Sequence, residues 1–112
     1  MGALHRIDLG VFEGFEGQWV DIYARRNFGT YLATMEAMGH GARAYCMARF
    51  AHYVASWSFP GSPADETAVD SLDEDVAIYI LEQAENHYTE VRRSPEERKS
   101  APRAISKSAR AS

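Results

Sequence analysis

The sequence predicts a mainly α-helical α+β domain, with about three helices packed on a short N-terminal β-hairpin and a C-terminal tail without structure of its own. Three observations predict it. Residues 4–23 alternate apolar and polar side chains at the period of a strand, and three later stretches repeat apolar residues at the period of a helix. From Ser94 onward large apolar residues all but vanish. The expected organisation is one domain over residues 1–93 and a disordered basic tail over 94–112.

The first element is the hairpin. Ile7, Leu9 and Val11 alternate with Arg6, Asp8 and Gly10, and Val20 and Ile22 alternate with Trp19, Asp21 and Tyr23. The EGFEG stretch between the two runs is bounded by glycines and can turn. Two strands alone are marginal in water, so a helix must lie on them.

The first helix is expected from Thr30 to Met38. Leu32, Met35 and Met38/Ala37 recur there at helical spacing, as a core-facing stripe would. Gly39-His40-Gly41 breaks it, because each glycine in a helix interior costs about 1 kcal/mol. A second helix is expected from about Ala42 to Ala55, with Met47, Phe50/Ala51 and Val54 as its stripe. It runs into an aromatic hinge at Trp57 and Phe59. PGSPADET follows, a loop by composition.

The third helix carries the strongest signal. Ser71-x-x-Glu74 has the form of a capping box, and Asp73, Glu74 and Asp75 place negative charge at the positive end of the helix dipole. Behind them Val76, Tyr79/Ile80, Gln83/Ala84, His87/Tyr88 and Val91 form a stripe about five turns long. In the tail, Ile105 alone is large and apolar, so no core can order it.

Composition excludes several functions. The chain has 112 residues, 46 % hydrophobic and 25 % charged, which suits a single globular domain. Cys46 is the single cysteine, so no intrachain disulfide forms and a reducing compartment is expected. No apolar run reaches the length of a membrane span, and MGALHRIDLG has no apolar signal core, which points to the cytoplasm. The formal charge of −4 divides unequally: residues 92–112 carry seven Lys/Arg against two Glu, and the body carries five against fourteen. An acidic body with a basic tail free of aromatics is a poor nucleic-acid binder.

No catalytic constellation is present, so no enzyme and no cofactor are expected. Cys46 and His52 are six apart, and no C-x-x-C or H-x-x-x-H pair occurs among the four histidines. Ser56 lacks a G-x-S-x-G frame, and Gly39-His40-Gly41 lacks the spacing and Lys-Ser/Thr of a phosphate loop. Asp65, Glu66, Asp70, Asp73, Glu74 and Asp75 lack the alternation and central glycine of a calcium loop. Two tryptophans, six tyrosines and five phenylalanines are many for this length, and Phe12 and Phe15 lie in the glycine-rich turn. Aromatics on loops point to protein recognition, and the candidate partner-binding residues are Phe12, Phe15, Trp57, Phe59, Tyr79 and Tyr88.

Four segments resemble, in order, those of the tail assembly chaperones of long-tailed (siphovirus-type) phages. IDLG…GQWVDI resembles the family's N-terminal strands, and FAHYVASWSF resembles its helix running into a tryptophan-centred segment. AVDSLDEDVAIYILEQAENHY resembles its leucine, acidic pair, valine and amphipathic helix, and RRSPEERKS resembles its frameshift region. PGSPADET departs from the acidic-then-glycine turn often found there.

The resemblance implies a short product of a frameshifting gene pair, acting in the host cytoplasm during assembly and absent from the virion. Its implied partners are the tape-measure protein, a longer frameshifted form of itself, the tail-tube protein through that longer form, and further copies of the chain. A purine-rich slippery run is then expected in the codons around Glu97-Arg98-Lys99. The competing readings are a structural phage adaptor such as a head-tail completion protein, or a small helical interaction module. A DNA-binding regulator would need a basic recognition helix, and the strongest helix here is acidic instead.

Overall fold

A computed structural model describes residues 2–92 of the chain. The tail expected over 94–112, and its disorder, lie outside the described residues. Within them the fold is α+β, in the order β1 (Leu4–Asp8), β2 (Trp19–Tyr23), α1 (Phe28–Met38), α2 (Ala42–Tyr53), β3 (Val54–Trp57), α3 (Glu66–Asp70) and α4 (Glu74–Val91). The three strands form one antiparallel sheet in the order β1-β2-β3.

The expected hairpin forms, with Leu4 opposite Tyr23 and Asp8 opposite Trp19. Its connection is a run of three-residue steps: the amides of Phe12, Phe15 and Gln18 donate to the carbonyls of Leu9, Phe12 and Phe15. Gly14 and Gly17 occupy the third position of the last two turns at φ 90° and 83°, a region that costs a side chain dearly. The sequence EGFEG therefore turns twice and leaves each phenylalanine at a corner.

The third strand was not expected. Where the sequence predicts the end of a helix and a hinge over VASW, α2 stops at Tyr53 and the chain straightens at once. Val20 pairs with Trp57, Asp21 with Ser56 and Ile22 with Val54, so Ala55 is an extra residue in β3. This bulge lets Val54 and Trp57, an odd number of residues apart, both be buried with Val20 and Ile22. The β-branched valine and the tryptophan fit a half-covered sheet better than an exposed last helical turn.

One face of the sheet carries the core. Ile7, Leu9, Val20, Ile22, Val54 and Trp57 meet Phe50 and Tyr53 from α2, Val69 from α3, and Val76, Ile80, Leu81, Ala84 and Tyr88 from α4. The α4 stripe thus packs as its period requires. On the other face the Arg6 guanidinium grips Asp21 with two bonds, Nε to Oδ1 at 2.8 Å and Nη2 to Oδ2 at 2.9 Å, and lies 4.2 Å over the Trp19 ring. That hydrogen-bonded guanidinium holds the Asp21 carboxyl below its ordinary pKa.

The loop PGSPADET holds the start of a short helix that its composition concealed. Asp65 Oδ1 accepts from the Thr67 amide and opens α3. Ser71 is therefore not the cap of the last helix. It closes α3, its hydroxyl donating to the Thr67 carbonyl, and Asp73 caps α4 by accepting from the Val76 amide at 3.2 Å. Asp73, two residues on, supplies the same chemistry, so the helix begins at Glu74.

Candidate protein-binding surface

The six aromatic residues singled out for partner binding are used inside the fold. Five of them belong to one chain of mostly edge-to-face rings: Tyr79 to Phe12 at 5.1 Å, Phe12 to Phe15 at 6.4 Å, Phe15 to Phe59 at 6.4 Å, and Phe59 to Trp57 at 5.5 Å. Phe12, Phe15, Phe59 and Tyr79 are half-buried against the core, and Trp57 is buried, its indole Nε1 donating to the Gly61 carbonyl at 2.8 Å. The turn phenylalanines fold back over the end of the sheet.

Tyr88 is also buried, edge-on to Tyr53 at 5.0 Å, and its hydroxyl donates to the Tyr23 carbonyl at 2.6 Å. Burial pushes its pKa up to about 12. The six thus take part in the fold's own packing, four of them half-buried. Their rings have partners within the fold, with Trp57 and Tyr88 the most buried of the six.

Five of the nine exposed large apolar side chains among the described residues lie on α1, where the sequence expected a core stripe. The side packed on α2 is made of small residues, with Thr34 buried and Thr30, Ala33 and Ala37 half-buried. Phe28, Tyr31, Leu32, Met35 and Met38 are exposed on the opposite side, at i, i+3, i+4, i+7 and i+10. The inversion has a physical cause. The core face of the sheet is already filled by α4 and the end of α2, so α1 packs chiefly on α2, and small side chains allow a close approach there. Asn27 fixes where the helix starts, its Oδ1 accepting from the Thr30 amide at 2.9 Å.

A cationic cleft of about 410 Å³ opens at the N-terminal end of this face. Arg25, Arg26, Asn27, Phe28, Tyr31, Tyr88, Val91 and Arg92 line it, with no acidic residue among them. Phe28 and Tyr31 stack at 5.8 Å along its edge. The Arg26 guanidinium sits 4.6 Å over the Tyr88 ring and donates to the Tyr53 hydroxyl at 2.7 Å. That hydroxyl donates in turn to Glu85 at 2.8 Å, and Arg49 also reaches the Glu85 carboxylate, at 3.5 Å. Burial and the hydrogen bond to Glu85 raise the Tyr53 pKa above its ordinary value. The network ties α1's start to α2 and α4.

Among the described residues, no group of three or more His, Cys, Asp or Glu side chains could hold a metal ion, and no helix is long and apolar enough to cross a membrane. The sequence could have located the α1 face. Thr30, Ala33, Thr34 and Ala37 share one helical side as surely as the large residues share the other. No family model, characterised protein or solved structure matches the chain.

Proposed function

We propose that this chain is an assembly chaperone of a long-tailed phage, a non-catalytic protein that holds the tape-measure protein during tail assembly and leaves before the virion is complete. The observation that carries the reading is α1: five large apolar side chains face outward from an 11-residue helix whose inward side is small. A helix-holding protein needs such a stripe, because an amphipathic client helix docks its own apolar face along it. The four segments resembling tail assembly chaperones supply the identity of the client, and they imply a longer frameshifted form that recruits the tail tube.

The tape-measure protein is long and helical, so many copies of the chain can bind side by side, and weak contacts at each become firm attachment in sum. A tagged chain should carry the tape-measure protein through purification from cells making both, and purified virions should lack the chain. Retention in the particles would make it a structural adaptor instead. Failure to co-purify with the tape-measure protein would end the chaperone reading.

A further inference from the structure

We infer that the arginine cleft at the start of α1 is a carboxylate-binding site, which takes paired acidic side chains at one end of a segment whose apolar residues lie along α1. The identity of the partner rests on the client reading; the anion site does not.

Charge is the first argument. Residues 2–92 hold six arginines, no lysine and fourteen acidic residues. Three of the arginines are tied to carboxylates elsewhere: Arg6 to Asp21 at 2.8 Å, Arg43 to Asp70 at 2.7 Å and Arg49 to Glu85 at 3.5 Å. The other three, Arg25, Arg26 and Arg92, meet at the cleft, where no acidic residue joins them. Arg25 and Arg92 are exposed and have no carboxylate partner among the described residues. An acidic body thus gathers its unneutralised arginines in one concavity, which focuses their field on an incoming anion.

Arg26 is set in place before any ligand arrives. Its side chain is 15 % exposed, its guanidinium lies 4.6 Å over the Tyr88 ring, and Nη1 donates to the Tyr53 hydroxyl at 2.7 Å. Glu85 approaches Nη1 only at 4.0 Å, and that carboxylate is already engaged by Tyr53 and Arg49. Nε and Nη2 of Arg26 have no hydrogen-bond partner among the described residues, and neither is shut away from solvent. These two nitrogens form the edge with which Arg6 grips both oxygens of Asp21. A free guanidinium edge held against aromatic rings of low polarisability matches a carboxylate in shape and charge.

Shape selects the kind of anion. The cleft holds about 410 Å³ and is continuous with the α1 stripe, because Phe28 and Tyr31 belong to both. A mononucleotide would fill the cleft and leave Leu32, Met35 and Met38 uncovered. A long polyanion would run from the cleft onto an acidic surface and be repelled. A protein segment with two neighbouring carboxylates, then apolar residues at helical spacing, satisfies both parts. The 11 residues of α1 span about 16 Å, so about three turns of such a segment cover it.

The test is fluorescence anisotropy on the full chain with a labelled, end-capped helical peptide of about fourteen residues. One version carries two glutamates in its first turn ahead of a leucine stripe, and the other carries glutamines there. Wild type should bind the glutamate peptide about tenfold tighter. Arg25→Glu combined with Arg92→Glu changes only exposed positions and leaves Arg26 and its network in place. This double variant should keep the wild-type circular dichroism and lose the preference. Equal binding of the two peptides by wild type, or a preference that survives in the double variant, would overturn the carboxylate site. Adenosine monophosphate that binds tighter than the glutamate peptide would overturn it in favour of a nucleotide. Tape-measure capture is read separately, by co-purification. A chain that prefers the glutamate peptide and captures no tape-measure protein loses the client reading alone; one that captures it without that preference loses the cleft alone.

Discussion

Val54 and Trp57 are three residues apart on β3 and are both buried, because Ala55 is an extra residue that the β2 ladder skips. In a regular strand an odd separation would put them on opposite faces. The bulge thus decides which face the tryptophan joins, and with it the whole ring chain from Trp57 to Tyr79.

Trp57→Ala should therefore lower stability by roughly 3 to 5 kcal/mol, read as the shift in urea midpoint. Deleting Ala55 removes the extra residue and leaves Val54 and Trp57 two apart, on one face of a regular strand, so it should cost less than Trp57→Ala. Ala55→Ser should leave the midpoint nearly unchanged. A deletion variant that loses as much stability as Trp57→Ala would mean that Trp57 does not keep its face once the bulge is removed.

Asp73→Ala should cost about 1 kcal/mol, because it removes the acceptor for the Val76 amide at the start of α4. Ser71→Ala should cost only a few tenths, since its exposed hydroxyl donates to the end of a five-residue helix. Urea midpoints of the two variants, compared directly, separate the cap seen here from the Ser71-Glu74 box expected from the sequence.

Acid should weaken the fold through His5. Its ring stacks on His87 at 4.1 Å, and His87 Nε2 donates to the Ala24 carbonyl at 2.7 Å. Burial first, and the neighbouring His87 second, hold the His5 pKa below its ordinary value, with Glu90 opposing. A group depressed in the folded state contributes stability that is present above its unfolded pKa, about 6.5, and lost as the pH falls below it. His5→Phe keeps the stack without the proton. Its urea midpoint should fall less than that of wild type between about pH 7.5 and about pH 5.5. Equal falls would remove His5 as the cause.

Much of this was legible in the sequence where one periodicity met one environment. The alternation of Ile7 and Leu9 with Arg6 and Asp8 gave the hairpin, and the stripe from Val76 to Tyr88 gave α4, because each packs one face on one core. Legibility failed where a pattern had two physical outcomes. VASW is short and follows a helix directly, so only pairing with β2 makes it a strand. Asp65, Ser71 and Asp73 can all cap, and local chemistry does not choose among them. The α1 stripe read as core because large apolar residues usually are; its true neighbour, α2, favours the small side instead. The loop aromatics read as surface for the complementary reason, since Gly14 and Gly17 let the turn fold Phe12 and Phe15 back onto the core.

The α1 face should matter little for folding and decisively for binding. Leu32→Glu combined with Met35→Glu changes two exposed positions, so the urea midpoint should move by no more than about 0.5 kcal/mol for each. The most direct measurement is the soluble yield of the tape-measure protein co-expressed with wild type and with this double variant. Wild type should raise that yield severalfold, and the folded double variant should leave it at the level of the tape-measure protein alone. Equal rescue by both chains would contradict a client-holding role for α1.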